Sequence, residues 1–322
     1  MTGSNRYYLH RSSAQTSVGQ VRENNEDSIR LWAHDACVLG VVADGMGGAA
    51  AGEEASGLAV QAIERGVTLP GEADEAQIIG MTDEAVARML ETAIREGNHD
   101  ILELARRSPD MRGMGTTITI AYVRGSRCIV AHVGDSRAYL VEVDPPQITQ
   151  ITSDHSFVEA LVAAGHLTPD QAAEHPMKNV LYRALGQSEY VEVDIYEVQL
   201  EPTDRLVLCS DGLTRHVDPA EIADIAQTYD NPDDIGARLI ELANTRGGED
   251  NVSVVVIEIA ADPDADPEST LELRRIDPQA DETLTLGNRA ILDDLISSIP
   301  AADGGEAFHA AFPPPEAPDD KD

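Results

Sequence analysis

Positive charge is in short supply along this chain. Twenty-three Lys and Arg face 58 Asp and Glu across 322 residues, for a net charge of −35. Lysine is almost absent: Lys178 and Lys321 are the only two. Nucleic acids and anionic membrane surfaces both need a basic patch, so this balance excludes them as partners. Cysteine is scarce as well. Cys37, Cys128 and Cys209 share no metal-ligand spacing, and each lies in or beside an apolar run, the pattern of buried thiols in a reducing compartment. No stretch approaches the roughly eighteen apolar residues of a membrane helix, and the opening MTGSNRYYLHRSS reads as a polar leader without a hydrophobic signal segment. A soluble, cytoplasmic chain is expected.

What is present is organised around Val38 to Gly48, VLGVVADGMGG. Val38, Leu39, Val41, Val42 and Ala43 form a short apolar run, read as a strand buried on both faces, that stops at Asp44. Gly45, Gly47 and Gly48 follow at once, letting the backbone bend with positive φ and bringing bare carbonyls close to a ligand. A carboxylate on a rigid strand beside such carbonyls suits a hard cation, although Asp44 alone equally suits a helix cap. Three further strand-like runs meet a carboxylate beside glycine: Gly134-Asp135-Ser136-Arg137, Ser210-Asp211-Gly212, and Gly247-Gly248-Glu249-Asp250-Asn251 leading into Val252–Ile259. With antiparallel neighbours, one strand's end lies beside another's start, so Asp44, Asp211 and Asp250 can meet at one edge of a sandwich. Packed carboxylates repel one another unless cations neutralise them. Hard oxygen donors select magnesium or manganese over zinc.

The remaining pattern supplies the frame. Ser28–Trp32 reads as a strand, residues 55–63 as an amphipathic helix ending near Gly66, 70–80 as a loop, and 82–108 as a long helix capped by Thr82. Thr116–Val123, Arg127–Val133 and Arg137–Val143 read as a meander with a Gly-Asp hairpin between the last two. Ser153–Gly186 reads as a helical insertion whose His155, His166 and His175 are surface or turn residues. Strands at 191–200 and 205–209 and helices at 219–225 and 233–243 precede the last strand. Residues 1–260 form one domain. Residues 261–322, with eight prolines and sixteen acidic against four basic residues, read as a largely disordered acidic tail, with a short helix at Asn288–Ile299.

Taken in order, Arg22-x-x-x-Glu26-Asp27, Asp44-Gly45-Met46-Gly47-Gly48, Gly113-x-Gly115-Thr116-Thr117, Gly134-Asp135-Ser136-Arg137, Ser210-Asp211-Gly212-Leu213 and Asp250-Asn251-x-Ser253 resemble the motif series of the bacterial metal-dependent type 2C Ser/Thr protein phosphatases. The resemblance spans roughly residues 15–260. It implies an α+β fold, a four-layer α/β/β/α sandwich of two antiparallel sheets flanked by helix pairs. It also implies a two-ion Mn2+ or Mg2+ centre. Asp44 would bridge the ions, the Gly45 carbonyl would bind one, Asp211 and Asp250 would hold the other, and Glu26 and Asp27 would orient waters. A water bridging the ions would attack phosphorus directly, and Arg22 would bind the phosphate. The implied substrates are phosphoproteins, those of a Ser/Thr kinase, acted on by a monomer.

Two positions depart from the family pattern. Met46 stands where some members carry a histidine after the Asp-Gly pair, so no general acid is assigned. Arg215 stands where many carry an aspartate that helps bind a third ion, so a third site using Asp135 is expected to be weaker. The segment Ser153–Gly186 corresponds to the family's variable flap. A non-catalytic phosphoprotein-binding module of the same fold is the alternative.

Overall fold

The computed structural model describes residues 8–34, 37–71 and 74–261. Among them the chain runs β1 (Tyr8–Ser17), β2 (Asp27–His34), β3 (Cys37–Met46), α1 (Ala49–Gly66), α2 (Glu75–Ile79) and α3 (Asp83–Arg107). After a 3-10 turn at Pro109–Met111 come β4 (Gly115–Thr116), β5 (Ile118–Arg124), β6 (Arg127–Val133), β7 (Arg137–Glu142) and β8 (Gln147–Gln150). Next are α4 (Phe157–Ala163), α5 (Pro169–Ala173), β9 (Asp194–Gln199) and β10 (Arg205–Cys209). The described chain closes with α6 (Asp211–Thr214), α7 (Pro219–Thr228), α8 (Pro232–Thr245) and β11 (Val252–Ala261). One sheet has the order β1-β11-β10-β7-β8 and the other β2-β3-β5-β6-β9, with β4 attached to β3. Every pairing is antiparallel.

Side-chain alternation explains the layering. Along β3, Leu39, Val41 and Ala43 pack toward α1 and α3, while Val38 and Val42 pack between the sheets. The inner face of β10 and β11 supplies Leu206, Leu208, Val255 and Ile257 to the same inter-sheet layer. Their outward residues Val207, Val254 and Val256 pack with Ile222, Ile235 and Leu239 of α7 and α8. The result is the α/β/β/α sandwich, an α+β fold, with three apolar layers. Each fully buried Val, Leu or Ile in them contributes roughly 1.5–3 kcal/mol.

The same alternation positions the site. Continuing two residues past Val42, Leu208 and Val255 places Asp44, Ser210 and Ser253 on inner faces at one end of the sandwich, and Asp27 pairs with Asp44 in the β2–β3 register. The inter-sheet layer is thus apolar through its middle and polar at this end.

Several expectations change. The polar leader is partly β1, which pairs with β11 along ten residues from Tyr8↔Ala261 to Ser17↔Val252; an edge strand does not need a continuous apolar run. The Gly134–Arg137 turn is not a hairpin. It carries the chain from β6 in one sheet to β7 in the other, and Ser136 crosses the layer to meet Thr117 (Oγ–Oγ1 2.7 Å). Segment 70–80 contains α2, capped by Asp74 accepting from the Ala76 N–H at 3.0 Å. The insertion holds α4 and α5, and its ends are joined by the Ser156↔Leu181 bridge. The acidic tail, including Asn288–Ile299, lies outside the described residues. No helix among the described residues is long and apolar enough to cross a membrane.

Candidate metal centre

Asp44 lies at the centre of the polar end. Its peptide is fixed by the next segment of chain: Asp44 N–H donates to Thr117 Oγ1 (3.0 Å), and Asp44 C=O accepts from Thr117 N–H (2.9 Å) and Thr116 Oγ1–H (2.8 Å). Asp44 caps no helix, because the residue before α1 is Gly48, with no side-chain cap. Positive φ falls on Gly47 and Gly48. Gly45 serves a different purpose: a Cβ there would sit 2.1 Å from the Gly52 carbonyl oxygen and 2.6 Å from that of Glu26, so only glycine lets these backbones close.

Asp27 is aimed across the sandwich. Its Oδ2 accepts from Ser210 Oγ–H at 2.8 Å and Ser253 Oγ–H at 2.7 Å, both from the opposite sheet. Its Oδ1 is buried and has no hydrogen-bond partner. Glu26 is buried next to it; its N–H donates to Asn251 Oδ1 at 2.7 Å. The Asn251 side chain in turn donates to the carbonyls of Val18 and Asn24, both at 2.9 Å, clasping the loop that carries Arg22. Asp211 opens α6 directly after β10, and Asp250 precedes β11. The Ser210–Ser253 backbone bond (3.1 Å) brings these two ends together.

The electrostatics are those of an acidic excess. Burial, followed by the charges of Asp27, Asp211, Asp135 and Asp250, pushes the Asp44 carboxyl well above its ordinary range. Burial raises Asp27 to about 7, against its two serine donors. Burial and then Asp211 and Asp154 raise Asp135 to about 8. Asp211 is raised by burial, with Arg215 opposing, and Glu26 by burial, with Arg22 opposing. Two guanidiniums supply the nearby positive charge. Arg22 donates to Asp250 Oδ2 at 3.0 Å and lies 3.7 Å from Glu26 Oε1. Arg215 donates to the same Asp250 Oδ2 at 2.9 Å and also to Asp211. Six carboxylates, those of Glu26, Asp27, Asp44, Asp135, Asp211 and Asp250, therefore gather around two arginines.

The sequence left some of this out. Ser210, Ser253 and Asn251 stood inside the motifs, but nothing in their spacing showed that they hold Asp27 and Glu26. His155 is buried, at 1% exposure, where a surface or turn residue was expected. It accepts from Gly134 N–H at Nδ1 (3.0 Å), which leaves Nε2–H to face Asp194 Oδ2 at 3.2 Å. A lone histidine has no periodicity to reveal its burial. His166 is exposed and His175 half-buried.

Residues 14–251 match the protein phosphatase 2C family model. The chain belongs to that family. A serine/threonine phosphatase, stp, of Listeria innocua is 38% identical over 245 residues, covering 76% of this chain and 94% of that protein. The crystal structure of the Mycobacterium tuberculosis serine/threonine phosphatase PstP/Ppp superposes with a TM-score of 0.68 at 38% identity, covering 78% of this chain and 99% of that one. A structure of the PstP catalytic domain in complex with two manganese ions has a TM-score of 0.66 at 36% identity and covers 79% and 99% of the two chains.

Within this protein phosphatase 2C fold the donor set fits divalent cations. It is all oxygen, more acidic than its arginines balance, and includes the unpartnered Asp27 Oδ1. Among the described residues, no three His, Cys, Asp or Glu side chains converge into a finished cage. The Asp211 and Asp250 carboxylates are both turned toward guanidinium groups.

Proposed function

We propose that this protein phosphatase 2C member is a metal-dependent enzyme that removes phosphate from phosphoserine and phosphothreonine in proteins, using two divalent ions held at the polar end of the sandwich. When bound, such ions would supply the Lewis acidity that activates water toward phosphorus and would offset charge on the phosphoryl oxygens, so no covalent phosphoenzyme is needed. Asp44, reached by the fields of four other carboxylates, would be a ligand of both ions. Asp211 and Asp250 hold one ion, and the Gly45 carbonyl contributes to the other. Asp27, held with Oδ1 unpartnered, and Glu26 orient the surrounding water. Asp135 serves a weaker third site, since Arg215 faces it electrostatically.

Arg22 is the phosphate-binding group. Its side chain is 47% exposed at the mouth of the site, and the Asn251 clasp fixes its loop. A planar guanidinium there can grip a phosphoryl group with two donors. The net charge of −35 favours substrates with Lys or Arg beside the phosphoresidue, and kinase-phosphorylated proteins are the substrate class.

The observation that carries this reading is the gathering of carboxylates from β2, β3, α6 and the start of β11, distant in sequence, around Asp44. The test is release of phosphate from a phosphothreonine peptide, titrated with manganese and magnesium with and without EDTA. Turnover that saturates with metal and vanishes with chelator is expected; metal-independent turnover, or none at all, would overturn the reading.

A further inference from the structure

The contacts of Arg215 reach beyond a weakened third site. It sits one helical turn after Asp211, its N–H donating to the Asp211 carbonyl at 2.9 Å, so its side chain returns over the residue that opens α6. An acid four positions ahead of a base is the favourable order for such a pair. The guanidinium does not stop at that local partner. It spans Asp211 and Asp250, with 2.9 Å to Asp250 Oδ2, and its charge also acts on Asp135 and Asp44. Arg22 and Arg215 meet on one oxygen, Asp250 Oδ2, but they are held differently. Arg22 is 47% exposed with a single close contact, whereas Arg215 is 30% exposed and grips two carboxylates at once.

We infer that Arg215 is an internal counter-cation: it neutralises Asp211 and Asp250 when no divalent ion is bound, and it competes with the ion for those oxygens, setting the affinity of the centre. This rests on the phosphatase reading of the carboxylate cluster. Each carboxylate oxygen that donates to a metal must first leave the guanidinium, and a fixed positive charge a few ångströms away opposes an arriving dication. At the effective dielectric of a partly buried site that opposition is stronger than the same charges would feel in water, and salt screens it only in part. The same contact that weakens metal binding supports the metal-free protein, because an acidic cluster without compensation is costly to bury.

The test uses the full chain and manganese as the probe. Arg215→Gln keeps the length and a hydrogen-bonding end but removes the charge, while Arg215→Lys keeps the charge. Calorimetric titration with Mn2+ should show Arg215→Gln binding about 10-fold more tightly than the parent, with Arg215→Lys lying between the two. Melting in EDTA should show the opposite order, Arg215→Gln below the parent, and the gap should close in saturating manganese. Equal or weaker manganese binding by Arg215→Gln, in a parent that binds the ion, would overturn the counter-cation role alone. A parent that takes up no manganese would overturn the phosphatase reading and this inference together. A variant with a raised KM for phosphopeptide and unchanged manganese affinity would place Arg215 on the substrate instead, against the inference.

Discussion

Two buried charged clusters lie side by side at this end of the sandwich, joined through Gly134, and they are built on opposite principles. In the first, each acid has a base. Arg137 grips Asp154 with two donors (Nε–Oδ1 2.9 Å, Nη2–Oδ2 2.7 Å), and Arg183 pairs with Asp194 at 2.6 Å beside His155. Although burial works against it, the His155 and Arg183 contacts hold the Asp194 carboxyl well below its ordinary range. In the second, around Asp44, acids outnumber bases and their carboxyls are pushed upward. A balanced cluster is complete as folded. An unbalanced one is complete only with a cation from outside, and that difference separates a structural network from a ligand site more cleanly than burial or residue type does.

Substitution should break the symmetry between the two. Asp211→Asn is expected to lower phosphopeptide turnover in manganese by more than about 100-fold, beyond the 10- to 100-fold typical of residues that only support a metal ligand. Unchanged turnover would remove Asp211 from the catalytic centre, whereas a parent with no turnover would leave the non-catalytic binding module as the better reading. In the balanced cluster, Asp154→Asn strands the partly buried Arg137 and should cost about 2–4 kcal/mol in denaturant unfolding; a loss under about 0.5 kcal/mol would mean that the pair is not structural.

Without metal, pH separates the clusters again. Asp27 and Asp135 have folded values of about 7 and about 8, above the unfolded carboxylate value of 3.8. The folded state therefore holds more protons through that window, and its stability from these groups is full below the lower value and lost as pH rises toward 8. Melting in EDTA should fall between pH 5 and pH 8, and saturating manganese should flatten the slope. A metal-free melting temperature that rises over this range would contradict the assignment of excess acid.

The smallest effect concerns the hydroxyls on Asp27. Ser253→Ala should weaken manganese binding about 10-fold by calorimetry, and Ser253→Thr should largely preserve it; equal binding by all three proteins would remove the serine from the support of the site.

The two clusters also differ in how well the sequence reveals them. The acidic one was legible because strand termini leave a local mark, an apolar run then Asp then Gly at Asp44 and Asp211 and glycines then Asp before an apolar run at Asp250, and antiparallel pairing brings such ends and starts together. Asp44, Asp211 and Asp250 needed no long-range information to be singled out. The balanced one was not legible. His155, Arg183 and Asp194 lie on an irregular insertion and a strand start, with no period to expose their burial, and their pairing is a product of tertiary packing. The same limit explains β1, whose polar residues gain their structure from β11, some 240 positions away, and the Gly134–Arg137 turn, where good hairpin chemistry serves a crossing between sheets. The helices fared better: Thr82 does cap α3, its side chain accepting from Ala85 N–H at 3.2 Å.

Anomalous diffraction from crystals of the full chain grown in manganese is the most direct test of the claim that the acidic excess is a two-ion centre. The account predicts two manganese peaks with Asp44 in contact with both and Asp211 and Asp250 on one. No peak within reach of Asp44, with the carboxylates still turned to Arg22 and Arg215 at saturating metal, would contradict it.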